Sequence, residues 1–289
     1  MTVRGSRDAE GGVVLINVLA IVAIASAVAV TMLTLSQAAI ERSQRFNDAA
    51  QALATCLGAE TSVIIALRRD LEEAPDVDHG REAWAMLAET AAPIAGGTFD
   101  LAIADAQSRF NVNGLRDGGS AALENFRSIL VSLELPGEWA ERAFALIRFT
   151  GPVSDIGELQ RAGIDAAAIA RLSDLVTALP GRTEVNLNTA SQNLLAVLLK
   201  NPVAAAFLVS RRDRLGYLTK DDLDAADILL APGVGFTSRY FEVAVDVRVG
   251  EAEQTLTSLL YRGERDGRPQ VVALSRKRGR AAPSPEPPS

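Results

Sequence analysis

The chain has few of the side chains on which most catalytic and metal sites depend. Its 289 residues include one cysteine and one histidine, and aromatic residues make up 5% of the total. A single cysteine, Cys56, excludes an intramolecular disulfide and a zinc site built from cysteines, and its apolar helical surroundings predict a buried thiol. One histidine, His79, excludes a histidine dyad, and the polar stretch around it predicts a solvated loop. We therefore expect neither an enzyme nor a cofactor.

Basic charge is also scarce. The chain has 29 Lys and Arg residues against 36 Asp and Glu residues, which gives a formal net charge of −7. A protein with that balance lacks the broad positive surface that binds nucleic acid, so we expect no nucleic-acid partner. The length is ample for the core of one large domain or two modest ones.

One long segment carries no charge at all. Val13–Leu35, 23 positions, contains no charged side chain and follows two glycines, Gly11 and Gly12. At ~1.5 Å rise per helical residue, this segment spans a ~30 Å hydrocarbon core. A signal peptide has a shorter apolar core that precedes its cleavage site, whereas here the expected processing signal comes first, which is the prepilin pattern. The positive-inside rule does not orient the span, because arginines flank it equally (Arg4, Arg7, Arg42 and Arg45).

The helical pattern continues beyond the apolar segment. Ser36–Leu71 contains no proline and has one amphipathic stripe. It predicts a continuous helix from Val13 to about Leu71, roughly 90 Å long, that ends before Pro75. Asn17 is the fifth residue after a cut at Gly12. It either hydrogen-bonds to a neighbouring helix, for about 1 kcal/mol, or is a tolerated polar residue.

The remaining sequence predicts strands on both sides of a helical block. Period-two alternation marks one strand before the block and three after it, at Phe99–Asp105, Phe241–Val249, Glu253–Tyr261 and Gln270–Ser275. The last three predict an antiparallel meander. Between residues 120 and 230, short helical patterns are separated by Pro and Gly turns.

Two asparagine pairs precede predicted helices. Asparagine side chains satisfy backbone groups where a strand turns sharply into a helix, and we expect this role for Asn111, Asn113, Asn186 and Asn188, with partner contact as the alternative. Thr189 and Gln192 fit a capping box. Thr219 and Asp222 give a similar helix-start signal.

These elements together predict an α+β protein with a pilin-like fold. A long N-terminal helix packs on an antiparallel sheet, and a large all-α domain, of the sterile-alpha-motif or helix-hairpin-helix kind, is inserted between strands. The predicted organisation is a leader at 1–12, a transmembrane segment at 13–35, the amphipathic helix and first strand at 36–110, the inserted domain at 111–235, the late strands at 236–278 and a disordered proline-rich tail at 279–289.

The sequence resembles the minor pseudopilin K subunits of the type II secretion system over essentially its whole length. Four features carry the resemblance: the Gly12–Val13 junction with a non-glutamate, Asn17, at the fifth position; Phe99–Leu115, which ends in Arg-Phe-Asn-Val-Asn-Gly-Leu; the run from Glu158 through Val185–Ser191; and Tyr240-Phe241 at the start of the meander. Two family features are missing, an acidic segment after the second inserted helix and a net basic leader.

The resemblance implies a structural protein of the secretion pseudopilus. A prepilin peptidase would cleave after Gly12 and methylate Val13. The apolar helix would cross the lipid of the inner membrane once, with the globular part in the periplasm, and would pack against the helices of minor pseudopilins I and J. The bulky insert would place the subunit at the pseudopilus tip.

Calcium is the one cofactor that the resemblance raises, because some relatives bind it in the globular part. No ligand set can be matched in this sequence. Four neighbouring acids are expected to form a solvated helix face, Asp221, Asp222, Asp224 and Asp227.

Two other functions remain open. Val185–Ser191 followed by Arg211–Arg214 resembles a helix-hairpin-helix unit of a membrane-anchored DNA-binding protein, although Lys200–Val203 lacks the Gly-x-Gly of such hairpins. Tight, salt-sensitive DNA binding would be its signature. Alternatively, the chain is an ordinary signal-anchored periplasmic domain in which Gly12 is incidental.

Overall fold

The computed structural model describes residues 7–279, with side chains from Val14 onward. The chain begins with a long helix and two strands, passes through a helical insert, and ends with three strands. The elements in order are α1 (Arg7–Glu73), β1 (Glu89–Ile94), β2 (Gly97–Asp105), β3 (Phe110–Asn111), α2 (Gly119–Ser132), α3 (Trp139–Thr150), α4 (Ala166–Leu172), β4 (Val176–Thr177), β5 (Val185–Asn186), α5 (Gln192–Leu198), α6 (Pro202–Leu215), α7 (Lys220–Asp224), β6 (Val234–Gly235), β7 (Tyr240–Val249), β8 (Ala252–Arg265) and β9 (Arg268–Arg278).

Helix α1 is continuous from the apolar segment into the body of the protein. It begins six residues before the predicted start at Val13 and ends two residues after Leu71. Nothing in this stretch removes a backbone N–H, since the first proline that follows is Pro75, and the helix tolerates Gly11 and Gly12. Residues 1–6 of the predicted leader and the predicted tail from residue 280 lie outside the described residues.

One antiparallel sheet, in the order β1-β2-β7-β8-β9, contains the strands from both sides of the insert. Strands β2 and β7 pair from Gly97 opposite Val249 to Asp105 opposite Phe241. The chain therefore leaves the sheet at the end of β2 and re-enters it beside the same point. The predicted pilin-like α+β fold with an inserted helical domain is confirmed. Strand β1 was not predicted, because its sequence contains a proline and lacks period-two alternation. In the structure its pairing with β2 shifts register between Glu89 and Ala92.

Helix α1 covers one face of this sheet. The odd-numbered side chains of β7 point toward the helix and are buried, as alternation in a half-covered strand requires. They meet a stripe on α1 at helical spacing, which consists of Ala52, Cys56, Val63 and Leu67. Full burial of each large side chain contributes about 1.5–3 kcal/mol. The predicted burial of Cys56 is confirmed, and burial raises the pKa of its thiol to about 11.

The insert has its own core and is built from two similar halves, β3 to β4 and β5 to β6. Each half opens with Asn-x-Asn, and the first asparagine accepts a hydrogen bond from the backbone N–H of the second, at 3.1 Å for Asn111 and 2.9 Å for Asn186. Each half contains a two-residue parallel strand pair. Helices α3 and α6 both end at a glycine with positive φ, Gly151 and Gly216. The two halves therefore share the same local arrangement at their asparagine turns, strand pairs and helix ends.

Candidate functional site

The first feature with functional meaning is the apolar part of α1. Every side chain from Val14 to Leu35 is exposed. Among the described residues, α1 is the one helix with the length and composition to cross a membrane. The hydroxyl groups of Thr31 and Thr34 donate to the carbonyls of Ala27 and Thr31, at 2.8 and 2.9 Å, so they leave few polar groups unpaired in lipid. Asn17 lies on this exposed surface. Gly12 and Val13 lie within α1, but their side chains are outside the described residues.

The second feature is a buried polar network where the insert joins the sheet. We call it the root network, and it consists of Asp70, Asp78, Asp105, Asn186, Ser238 and Arg262. All six side chains belong to buried residues. They come from α1, the loop after it, both ends of the break in the sheet, the second half of the insert, and β8.

Arg262 supplies the positive charge of the root network. Its guanidinium, 3% exposed, forms ion pairs with the carboxylates of Asp70 and Asp78. It also donates to the carbonyl of Ser238 at 2.8 Å and lies over the ring of Phe241, 4.9 Å from the centroid. Such a pair is costly to break, because it leaves an uncompensated charge away from water.

Asp105 links the sheet to the insert. One carboxylate oxygen accepts hydrogen bonds from the Ser238 hydroxyl at 2.6 Å, the Thr189 hydroxyl at 2.5 Å and the Asn186 amide at 2.9 Å. The other accepts from the backbone N–H of Gln107 at 2.7 Å. Burial raises the pKa of Asp105, and these donors oppose that shift by stabilising the charged form. Asp105 thus ties the last residue of β2 to the insert and to the residues that precede β7.

Each second asparagine clamps a distant backbone segment. The Asn113 amide donates to the carbonyl of Val153 at 2.8 Å, and its oxygen accepts from the N–H of Val153 at 2.9 Å. Asn188 makes the same pair of bonds with Leu218, at 3.0 and 2.8 Å. Each clamp holds the residue just before a helical turn, so these side chains have a structural role inside the insert.

The predicted capping box at Thr189 and Gln192 is wrong. Helix α5 begins at Gln192, and Ser191 is its N-cap, with its hydroxyl accepting from the N–H of Leu194. Thr189 instead donates to Asp105, because a buried carboxylate is the stronger acceptor. The box at Thr219 and Asp222 is confirmed.

The predicted solvated position of His79 is also wrong. Its side chain is 16% exposed. The imidazole stacks on the ring of Tyr217 in the insert, with centroids 4.7 Å apart. The neighbouring Arg81 donates to the carbonyl of Asp213 at 2.7 Å. This loop packs against the insert, so the local polar sequence was a poor guide to its exposure.

Among the described residues, the carboxylate cluster that lies close enough to share a metal ion does not fit calcium. One group of three carboxylates lies close together, Asp70, Asp78 and Glu82. The first two carboxylates bind Arg262, and Glu82 accepts from the backbone N–H of His79 and from the indole of Trp84. These carboxylate oxygens already accept hydrogen bonds from the chain itself. The positive charge beside them is the guanidinium of Arg262, which would repel a calcium ion, so the cluster does not fit calcium. Of the four acids near α7, three are exposed as predicted, whereas Asp222 is half-buried and bonded to Arg211 and Thr219.

The root network could have been found in part from the strand patterns. Asp105 and Arg262 continue the inward-facing lines of β2 and β8, where apolar residues are the rule. A charge at such a position predicts a buried partner. No pattern in the sequence identifies that partner, since Arg262 and Asp70 are separated by 192 positions.

The insert lies at the end of α1 that is farthest from the apolar segment. The loop that follows α1 contacts it, as in the hydrogen bond from the N–H of Asp78 to the carbonyl of Phe236, 2.8 Å. The other end of the sheet lies nearer the apolar segment, where Gln51 donates to the carbonyl of Ala95 at 2.7 Å. A helix rise of ~1.5 Å per residue puts roughly 60 Å between Leu35 and Glu73.

This fold, with an exposed apolar helix that continues onto a sheet, defines the class of pilin-like assembly subunits of the cell envelope. No family model matches the chain. Type II secretion system protein K from Pseudomonas aeruginosa is 30% identical, over 94% of this chain and 95% of the relative. The proteins of the same name from Pectobacterium carotovorum subsp. carotovorum and Aeromonas hydrophila are each 26% identical, over 88% and 94% of this chain and 93% and 98% of the relatives.

A solved structure shows the same fold. A chain in the crystal structure of the GspK–GspI–GspJ complex of the enterotoxigenic Escherichia coli type 2 secretion system superposes with a TM-score of 0.62. It is 22% identical, and the match covers 83% of this chain and 100% of that chain. The chain described here belongs to the type II secretion system protein K family and is a minor pseudopilin of that system, as its sequence patterns predict.

Proposed function

We propose that this protein caps the tip of the secretion pseudopilus as a structural subunit without catalytic activity. The observation that carries the proposal is the position of the insert, at the end of α1 opposite the apolar segment. Subunits of a helical assembly stack along the axis of their packed helices. A further subunit placed beyond this one meets the insert rather than a free end of α1, so growth stops there.

The apolar part of α1 is the membrane anchor in this proposal. It places the protein in the inner membrane as a single span, with the sheet and insert in the periplasm. The exposed side chains of Val14–Leu35 support the lipid contact, since in water they would form an apolar surface without cover. Prepilin peptidase would remove the leader at Gly12 and methylate Val13. Asn17 would then lie five residues from the new N-terminus, without a charge to pair with an amine.

Minor pseudopilins I and J are the proposed partners, as in the complex that contains the solved relative. The face of α1 opposite the sheet supports helix packing beyond the membrane. It carries small exposed residues at four-residue spacing, Ala50, Ala54, Gly58 and Ser62, followed by Ile65, which is 59% exposed. Residues four apart lie on one helix face, and small side chains let a neighbouring helix approach closely.

The DNA-binding alternative receives no support from the relatives, which are secretion proteins. Arg211 in the candidate hairpin is bonded to Asp222, and Arg212 donates to the carbonyls of Leu187 and Ala190 within the insert. These arginines have internal partners. We propose no nucleic-acid function.

The tip position can be tested by labelling. Gly181 and Arg182 are both exposed, so a short epitope placed between them marks the insert on isolated pseudopili. Antibody-gold particles at one end of each fibre are expected, and particles spaced along the fibre would contradict the proposal. N-terminal sequencing of membrane-purified protein tests the leader: methylated Val13 is the expected first residue, and an intact Met1 would favour an ordinary signal anchor.

The partner surface can be tested by co-purification. Ala54→Trp places a large side chain on the outer face of α1 and is expected to abolish recovery of I and J with the protein. Ala121→Trp, at an exposed position on α2, is the matched control and is expected to leave recovery unchanged. Equal recovery with both variants would exclude this face of α1.

A further inference from the structure

The contact between the insert and the loop after α1 contains the only histidine of the chain. The imidazole of His79 and the ring of Tyr217 are parallel within 1°, with centroids 4.7 Å apart. Tyr217 lies between α6 and α7, so this stack joins the second half of the insert to the loop that follows α1. Aromatic pairs of this kind contribute about 0.5–1.5 kcal/mol beyond the area they bury.

On its other side, His79 faces a buried carboxylate. Nδ1 of the imidazole accepts from the backbone N–H of Arg81 at 3.2 Å, which assigns the proton of the neutral ring to Nε2. Nε2 lies 3.9 Å from Oε1 of Glu82, whose side chain is 8% exposed. Oε2 of Glu82 accepts from the N–H of His79 at 2.9 Å and from the indole of Trp84 at 2.7 Å.

Trp84 completes the connection to the sheet. Its ring packs edge-on against Phe241 of β7, with centroids 5.0 Å apart. Phe241 and Trp84 are both among the largest buried side chains of the molecule. A line of direct contacts therefore runs from Tyr217 in the insert, through the His79–Glu82 pair, to the core beneath α1.

We propose that the His79–Glu82 pair is a proton-sensitive contact that sets how firmly the insert is held on the sheet. With one shared proton the pair is neutral and fits its buried surroundings. Loss of that proton leaves a carboxylate near Asp70 and Asp78, with Arg262 already engaged by both. A second proton makes His79 cationic beside Arg81 and a neutral Glu82.

The charges around the pair agree with this scheme. The pKa of Glu82 is raised to about 7, chiefly by burial and also by the charges of Asp70 and Asp78, against the opposing effect of its hydrogen-bond donors. Burial raises the pKa of Asp70 to about 6, with Arg262 opposing the shift and Asp78 and Glu73 adding to it. Burial also lowers the pKa of His79, with Asp78 opposing the shift and Arg81 adding to it.

The sign of the pH dependence follows from these directions. A carboxyl group whose pKa is raised in the folded state stabilises the fold at low pH, and that stability is lost as the pH rises through about 7. A histidine whose pKa is lowered stabilises the fold at high pH, and that stability is lost as the pH falls below its ordinary value. The two effects oppose each other below the ordinary histidine pKa of 6.5, so the net loosening occurs as the pH rises from 6.5 through about 7.

The proton coupling can be measured on the full chain in detergent micelles with ¹³C-labelled histidine. Because the chain has one histidine, its Hε1 signal needs no assignment. We expect the wild-type signal to show an inflection near pH 7 from Glu82 in addition to that of the ring. Glu82→Gln should remove this inflection and leave the ring's own titration, because His79 takes its proton beside a neutral side chain in both proteins. Glu72→Gln, exposed in the last turn of α1, is the charge-matched control. Identical titration curves for wild type and Glu82→Gln overturn the proposal.

Hydrogen exchange tests the mechanical consequence. After correction for intrinsic rates, amides of residues 213–219 should exchange several-fold faster at pH 8 than at pH 6 in the wild type. That difference should vanish in Glu82→Gln. Tyr217→Leu should keep the titration of His79 but lose the pH effect on the insert. Equal protection at both pH values in the wild type also overturns the proposal, and this measurement needs no variant to fold.

Discussion

Replacement of Arg262 by methionine should be among the most damaging single changes outside the apolar core. The guanidinium is 3% exposed and neutralises two carboxylates that are themselves buried, those of Asp70 and Asp78. Methionine keeps much of the apolar stem but leaves both charges without a partner. Removal of one member of a buried pair costs about 3–5 kcal/mol.

The assay is denaturant unfolding of the full chain in detergent micelles, followed by near-ultraviolet circular dichroism. Arg248→Met is the matched control, because Arg248 forms an ion pair with Glu253 on the same sheet but is 69% exposed. Exposed pairs contribute about 0.2–1 kcal/mol, so the two variants should differ by at least about 2 kcal/mol.

Two further measurements separate charge from packing. The triple variant with Asp70→Asn and Asp78→Asn added to Arg262→Met should recover at least half of the lost stability, because it contains no uncompensated carboxylate. The deficit of the single variant should also shrink from pH 8 to pH 5, as the orphaned carboxyls take up protons. A loss of about 1 kcal/mol or less for Arg262→Met, similar to the control, would refute the reasoning.

Three other predictions concern single positions. Asn113→Ala should lower the free energy of unfolding by about 1–3 kcal/mol, because it leaves the N–H and carbonyl of Val153 unpaired; Asn125→Ala, which removes one long, solvent-exposed bond of 3.5 Å to the carbonyl of Pro232, should change it by less than about 0.5 kcal/mol. Cys56 should not react with a thiol reagent at pH 8 in the folded protein and should react fully in denaturant, since it is buried with a pKa of about 11; rapid labelling of the folded protein would contradict its position. Asp227→Gly should stabilise the insert by about 0.5–1 kcal/mol, because Asp227 has a φ of +53° at the place where the first half of the insert has Gly163, at +81°; a loss of stability would argue against the alignment of the two halves.

The two asparagine pairs make the same local hydrogen bond and differ in their outward contacts. In the first half, Asn111 accepts from the N–H of Leu179 and donates to the carbonyl of Gly181, both within the insert. In the second half, the amide of Asn186 reaches Asp78, Asp105 and Ser238 outside it. The first asparagine pair thus makes its contacts within the first half of the insert. The second pair attaches the second half to the sheet and to the loop after α1.

The predicted role of these asparagines was correct in kind for the local bond, in which an Asn oxygen accepts from the N–H two residues later. The partners of these asparagines in distant parts of the chain could not be predicted from the sequence pattern. The predicted capping box at Thr189 was wrong for the same reason, because its hydroxyl donates to the carboxylate of Asp105, which lies 84 positions away. His79 was misplaced because its exposure is set by Tyr217 and Glu82 and not by the polar residues around it.

By itself, the sequence determined the features that depend on short-range periodicity and composition: the charge-free segment, the long helix behind it, the alternating strands and the break between them. Each of these features follows from the residue spacing of a single helix or strand and from which of its side chains are apolar or charged. Only the tertiary structure decided how the insert is held, since the Asp105–Ser238 and Arg262–Asp70 contacts join residues 133 and 192 positions apart. Such contacts arise when the sheet closes around the break, and the energy that selects them exists only once the surrounding core has excluded water.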